Sequence, residues 1–317
     1  MAALRRASSA VGEWIEAIDA ELATVEAELE ELLLRIPNPA DPDVPVGGEE
    51  ANVTVRTWGE LLPREQPYEG GPDGKAGAGA EAGLGARGAT WTRRPHWEIG
   101  EALEIIDNER GAKITGSGFP VYKGAGSAMQ RALINWFLDV HTREHGFTEV
   151  WPPAVVNTAS ARGTGQIPDK EDQMYVVTRD ELYLVPTAEV PVTNLLRDEI
   201  LEADQLPVRY AAYSPCFRRE AGAAGKDTRG ILRVHQFDKV EMVLFEKPDD
   251  SPAALEWMTA RAEVLLQRLG LPYRVLLMST GEMGFVQRKK YDMEVWSPAV
   301  ERWLEVSSCS NFGDYQS

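Results

Sequence analysis

Apolar residues in the first 36 positions recur at a strict four-three spacing: Val11, Ile15, Ile18, Leu22, Val25, Leu29, Leu32 and Ile36. That repeat of 3.5 residues predicts the seam of a coiled-coil helix, with glutamates and alanines on its other faces. A run rich in proline and glycine, IPNPADPDVPVGG at 36–48, ends the helix at about Leu34–Ile36. Such a seam needs a partner, and two readings are open. One is a surface helix packed on the protein body, the other is half of a helical hairpin.

Positions 37–95 lose the periodicity and read as a linker, with a low-complexity Gly/Ala-rich insert from Gly70 to Gly88. The insert matches G-x-G-x-x-G at Gly83, Gly85 and Gly88. Without a hydrophobic strand before it or an amphipathic helix after it, the match is a product of composition. From about His96 helices and strands alternate, so residues 96–317 form the main domain. Ser127 is a candidate cap for a helix with Met129, Leu133, Trp136, Phe137 and Val140 on one face, closed by Gly146. A strand at 148–151 stops at Pro152 and Pro153. Ser251 and Pro252 open another helix that Gly270 closes. Strands are predicted at 209–220, 231–245, 273–279, 291–297 and 302–308, the first two forming a hairpin about AGAAGKDTRG. Consecutive strands without intervening helices predict an α+β fold, an antiparallel sheet flanked by helices.

Composition narrows the function. The 317 residues suffice for about two domains. Fifty acidic against 33 basic residues give a net charge of −17, which excludes an overall basic nucleic-acid binder but leaves room for a local basic groove. Two cysteines cannot build a disulfide framework. No run reaches the ~18 apolar residues of a membrane span, and the N-terminus lacks the apolar core of a signal peptide. A cytoplasmic chain without a membrane partner is expected.

Three constellations carry chemistry. His141-x-x-Glu144-His145 has the spacing of a zinc protease helix, with both histidines on one face and the glutamate as base; the competing reading is a polar last helical turn. Phe217-Arg218-Arg219-Glu220, followed by a loop with Lys226 and Arg229 and then by Arg233 to Glu241, would place Arg218 and Glu220 on one strand face. An arginine fork there can hold phosphate and carboxylate, while an exposed charged hairpin explains the same residues. Glu305-Val306-Ser307-Ser308 offers hard oxygen ligands suited to Mg²⁺ on nucleotide phosphates. Thr187-Ala188-Glu189 stands at a predicted helix start, where Thr187 could act as an N-cap.

Taken in order, GFTEVWPP (146–153), GTGQIP (163–168), YLVPTAE (183–189), PCFRREAGAAGKDTRGILRVHQFDKVE (215–241), YDMEVWSP (291–298) and EVSSCSNFGDYQ (305–316) closely resemble bacterial-type seryl-tRNA synthetases. The resemblance runs from Leu4 onward, the glycine-rich insert excepted. It equates GFTEVWPP with the first class II signature, a dimer-forming helix and strand ending at Pro153. It equates the stretch from Phe217 to Glu241 with the second. The histidine motif then falls inside the dimer helix, which leaves the zinc protease as a remote alternative and zinc as not expected.

The resemblance implies activation of L-serine by ATP to seryl-adenylate, transfer to tRNA(Ser), and a homodimer. It implies that Thr187, Ala188, Glu189, Arg218 and Glu241 bind serine. Arg218, Arg219, Glu220, Val234, Glu305, Val306, Ser307 and Ser308 would surround ATP, with Mg²⁺ on Glu305 and Ser308. Residues 1–36 match only the returning helix of the family's tRNA-binding arm, and the third, arginine-ending signature does not occur before Ser317. A chain truncated at both ends is therefore expected. Two alternatives stay open, a paralogue that charges a carrier protein and a catalytically dead dimerising remnant.

Overall fold

The computed structural model describes residues 1–67, 90–221 and 229–316. The glycine-rich insert at 70–88, with its G-x-G-x-x-G match, and Lys226 of the hairpin loop lie outside the described residues.

Helix α1 (Ala2–Leu33) follows the heptad seam and ends where the prolines begin. The seam faces solvent, with Val11 51% and Ile18 62% exposed, so packing on the body is not its role. Among the described residues, its ion pair and hydrogen bond with the body lie at the end of the helix. There Glu31 pairs with Arg162, and the Tyr315 hydroxyl donates to the Leu34 carbonyl at 3.4 Å.

Within the stretch read as linker-like, Val53–Trp58 forms strand β1. Its partner lies far along the chain, which is why local composition concealed it. Helix α2 (Ala125–Arg143) starts three residues earlier than expected. Gly124, at φ +49°, turns the chain into it, so Ser127 sits inside the first turn rather than capping. The chain then runs through β2 (Thr148–Val150), β3 (Val208–Phe217), β4 (Gln236–Phe245), α3 (Ser251–Arg268), β5 (Tyr273–Leu277), β6 (Lys289–Ser297) and β7 (Arg302–Asn311).

Two sheets result. One is fully antiparallel in the order β1-β5-β6-β7; the other places β3 between antiparallel β4 and the short parallel strand β2. The β3–β4 pair is the expected hairpin, in continuous register from Val208 opposite Phe245 to Phe217 opposite Gln236. Period-2 alternation directs one face of each sheet onto helices. Leu255 and Leu266 of α3 pack on Tyr273, Val275, Leu277, Tyr291, Met293 and Cys309 of the four-stranded sheet. Leu138 of α2 packs with Phe147 and Ala211 under the hairpin. Each such fully buried aliphatic side chain contributes about 1.5–3 kcal/mol relative to exposure.

Strands β4 and β7 each end their sheet, and their unpaired edges border one cavity of about 360 Å³. Ser251, Ala254, Leu255 and Met258 of α3 contribute to its lining, together with Glu189, Lys239, Glu241, Ser307 and Ser308.

Candidate active site

Thr187, Ala188 and Glu189 sit where the short strand Leu182–Leu184 turns into the helix Glu189–Thr193. Val185, Ala188, Val190 and Val192 are all 0% exposed, so apolar residues on both sides anchor the turn and leave Thr187 and Glu189 facing strand β4. Thr187 is not the helix cap. Its Oγ1 accepts from the Glu189 amide at 3.2 Å and donates to Glu241 Oε2 at 2.6 Å. Lys239, two residues before Glu241 and therefore on the same face of β4, reaches Glu241 Oε2 at 2.6 Å and Thr187 Oγ1 at 3.0 Å.

The electrostatics follow from enclosure. Burial pushes the Glu189 carboxyl up, and the neighbouring Glu241 adds to the effect; Gln316 offsets part of it by donating to Glu189 Oε1 at 2.9 Å. Burial works against the Lys239 ammonium, but Glu241 outweighs it and the net shift is upward. The cavity wall thus carries two carboxylates, one fixed ammonium and one fully bonded hydroxyl.

Past Phe217 the expected alternation fails. β3 ends there, and Glu220 adopts φ +52°, so Arg218 and Glu220 do not share a sheet face. Glu220 instead pairs with Arg233 at 2.6 Å, and Arg219 donates to the Asp172 carbonyl at 3.1 Å. Arg218 is held by its backbone: its amide donates to the His235 carbonyl, and its carbonyl meets His235 Nδ1, each at 3.0 Å. The guanidinium lies over the Phe237 ring, 5.0 Å from the centroid. His235 is in turn stacked on Phe119 at 5.3 Å and bonded through its amide to the Gly118 carbonyl. Gly118 has φ +81°, and a Cβ there would stand 2.3 Å from the imidazole, so only glycine lets the ring approach. Val234 is buried beside this support.

On the opposite wall, Glu305 and Ser308 are three residues apart, which in a regular strand would put them on opposite faces. A register shift opposite Met293 and Glu294 corrects this: Ser308 pairs with Asp292 and Glu305 with Glu294, whose side chains alternate onto one face. Asp292 is 3% exposed and bonded through Oδ2 to Lys290 at 2.8 Å, while its buried Oδ1 has no partner. Burial, then Glu305, push its carboxyl up to about 6. An orphaned acceptor within a carboxylate-rich face fits a hard cation. Among the described residues no group of three or more His, Cys, Asp or Glu forms a metal cage. A cation here would rely on phosphate oxygens and water for the rest of its shell.

The structure therefore brings Glu189, Glu241, Ser307 and Ser308 to one cavity with Thr187 bonded into its wall, and sets Arg218 to Glu220 and Val234 at the end of the hairpin. Glu305 and Val306 lie on exposed strand. Lys239, His235, Gln316 and Asp292 join the site without a motif of their own in the sequence. The i, i+2 spacing of Lys239 and Glu241 on a predicted strand was the available signal for the first.

The histidine motif is accounted for structurally. His141 is 2% exposed, with its Nδ1 3.1 Å from that of His145, and Glu144 is engaged by Arg268 at 2.7 Å. A glutamate committed to an arginine is no general base, which removes the protease reading.

Known proteins point the same way. Residues 175–317 match the family described as tRNA synthetase class II core domain (G, H, P, S and T). Serine--tRNA ligases from Gemmatimonas aurantiaca and Methylacidiphilum infernorum are 52% and 49% identical over 97% of this chain, covering 66% and 67% of those proteins. The chain belongs to the serine--tRNA ligase family. The seryl-tRNA synthetase of Pyrococcus horikoshii, solved with ATP, superposes with a TM-score of 0.83 at 38% identity, over 94% of this chain and 66% of that one. The chain thus spans 66% of the length of its Gemmatimonas relative. The α+β architecture of this family, an antiparallel sheet with helices and a long N-terminal helix, is the one described above.

Proposed function

We propose that the protein activates L-serine with ATP and transfers the seryl group to tRNA(Ser). The observation that carries this reading is the cavity wall of Thr187, Glu189, Lys239 and Glu241 next to Arg218. It suits a small zwitterion with a hydroxyl, and its hydrogen-bonding groups leave an apolar competitor with unpaired partners.

In the first step a serine carboxylate oxygen attacks the α-phosphorus, the bond to the β-phosphate oxygen breaks, and pyrophosphate leaves. The nucleophile is already anionic, so the protein's task is positioning and charge neutralisation rather than deprotonation. Glu189 and Glu241 receive the ammonium and hydroxyl, with Thr187 and Ala188 shaping the turn around them. Arg218 bridges the carboxylate and the α-phosphate, its backbone held by His235 and its guanidinium lying over Phe237. Glu220 and Arg219 frame the nucleotide at the hairpin end, Val234 packs beside it, and Val306 and Ser307 line the opposite strand. Mg²⁺, when bound to Glu305 and Ser308, supplies positive charge to the phosphates. In the second step a hydroxyl of the tRNA 3′ end attacks the seryl carbonyl and AMP leaves with the bonding pair.

The exposed Trp151, at 77%, and the exposed Pro153 beside α2 suit a homodimer contact. No helix among the described residues is long and apolar enough to cross a membrane, and a cytoplasmic, zinc-free enzyme is the reading we adopt. Incubation with radiolabelled serine, ATP, Mg²⁺ and either tRNA(Ser) or a carrier protein tests the acceptor. Label should enter tRNA. Label on the carrier alone would make the protein a carrier-charging paralogue, and label on neither would favour a dead remnant.

A further inference from the structure

Lys239 enters none of the roles above, yet it is the most heavily engaged cation in the cavity wall. Its Nζ lies 2.6 Å from Glu241 Oε2 and 3.0 Å from Thr187 Oγ1. The Thr187 hydroxyl has one proton and two lone pairs. The proton goes to Glu241 Oε2 at 2.6 Å, and the lone pairs accept from Lys239 and from the Glu189 amide at 3.2 Å. Both bonds to Glu241 fall on Oε2, and no described residue donates a hydrogen bond to Oε1. One oxygen is therefore clamped from two sides while the other remains for a ligand.

The charge balance points the same way. Burial and the neighbouring Glu241 push the Glu189 carboxyl up, so the wall concentrates negative charge. The Lys239 ammonium supplies the opposite charge in direct contact with Glu241 Oε2, and the pair is locked to the Thr187 turn, which also accepts from the Glu189 amide.

We infer that Lys239 is a positioning residue for amino-acid recognition. By clamping Glu241 Oε2 together with Thr187, it presents Oε1 as a fixed acceptor for the substrate's hydroxyl and ammonium donors. The inference rests on the serine-activating reading and adds to it a residue that acts through Glu241. Three consequences follow. Loss of the clamp weakens binding of the amino acid but not of ATP. It narrows the preference for serine over alanine, because a mobile Glu241 no longer depends on the hydroxyl for its geometry. It has no further effect once Glu241 cannot act as a carboxylate.

The test is amino-acid-dependent pyrophosphate exchange with the wild type, Lys239→Met, Glu241→Gln, the double variant and Lys239→Arg. Lys239→Met should raise KM for serine about tenfold to a hundredfold, the range for loss of a charge-assisted bond, with KM for ATP within about twofold. The double variant should match Glu241→Gln alone, since residues acting as one unit are non-additive. Lys239→Arg, which keeps the charge, should recover part of the loss. Equal increases in both KM values, or additive effects in the double variant, would show a merely structural lysine and overturn the inference. If Lys239→Met does not fold, Lys239→Arg decides: a raised KM for serine with KM for ATP within about twofold, and no further rise when combined with Glu241→Gln, supports the clamp, whereas unaltered KM values or equal increases in both refute it. Should the wild type exchange with an amino acid other than serine, the functional reading fails and the inference falls with it. Serine-dependent wild-type exchange with an unchanged Lys239→Met overturns the inference alone.

Discussion

His141 should make the fold acid-sensitive in a narrow and calculable window. Its imidazole is 2% exposed at the end of α2, enclosed with Phe147 and facing His145, and burial followed by the neighbouring histidine lowers its pKa from 6.5 to about 4. The folded protein therefore keeps His141 neutral where the unfolded chain protonates it. Below pH 6.5 the unfolded state binds more protons, so stability falls with falling pH and the loss levels off near pH 4. The distance from 6.5 to about 4, at about 1.36 kcal/mol per pH unit, is worth about 3 kcal/mol in full. About 2 kcal/mol of that is lost between pH 7.5 and pH 5. His145 shifts in the same direction by burial and by Arg261 and Arg268, opposed by Glu144, so the wild-type loss is a lower bound for the pair. The perturbation is His141→Asn, whose amide can take the Nδ1 position without titrating. Urea unfolding followed by tryptophan fluorescence at pH 7.5, 6 and 5 gives the stability of both proteins. The variant should be less stable at pH 7.5 from lost packing, yet its decline to pH 5 should be about 2 kcal/mol smaller than that of the wild type. Parallel pH profiles would show that His141 is not held neutral and would refute the reasoning.

Three further outcomes are expected. Arg218→Ala, exposed beyond the end of β3, should lower serine-dependent pyrophosphate exchange by about a hundredfold or more with little change in melting temperature. Gly118→Ala should lower the same activity by at least about tenfold, because a methyl group 2.3 Å from His235 displaces the ring that holds the Arg218 backbone. Glu263→Ala should destabilise the fold by about 3 kcal/mol in urea unfolding, since this buried carboxylate accepts from Tyr273 at 2.7 Å and pairs with Arg56 at 2.8 Å.

What the sequence revealed depended on how local the signal was. The heptad seam of α1 and the period-2 strands of the hairpin could be read because each repeats within a few residues, independent of what it packs on. β1 escaped notice because its reason for being a strand is β5, where Val53 pairs with Leu277 across the length of the chain. The functional residues divide in the same way. Thr187, Glu189 and Glu241 were named from motifs, and the structure brings them into contact through a hydroxyl and an ammonium. The spacing of Lys239 to Glu241 is visible in the sequence, but its contact with Thr187, 52 residues away, is not. Alternation misplaced Arg218 and Glu220, since the positive φ of Glu220 takes the chain off the strand. It also puts Glu305 and Ser308 on opposite faces, whereas the bulge opposite Met293 and Glu294 brings them to one face. Irregular backbone concentrates at these positions, and periodic reasoning has no access to it.

Amino-acid-dependent exchange of labelled pyrophosphate into ATP, run with serine, threonine, alanine and glycine in parallel, bears most directly on the central claim. The cavity wall of Thr187, Glu189, Lys239 and Glu241 predicts exchange with serine and at least about a hundredfold less with alanine, which leaves the Glu241 acceptor without its donor. Exchange that prefers alanine or threonine, or that proceeds equally well with glycine, would contradict it.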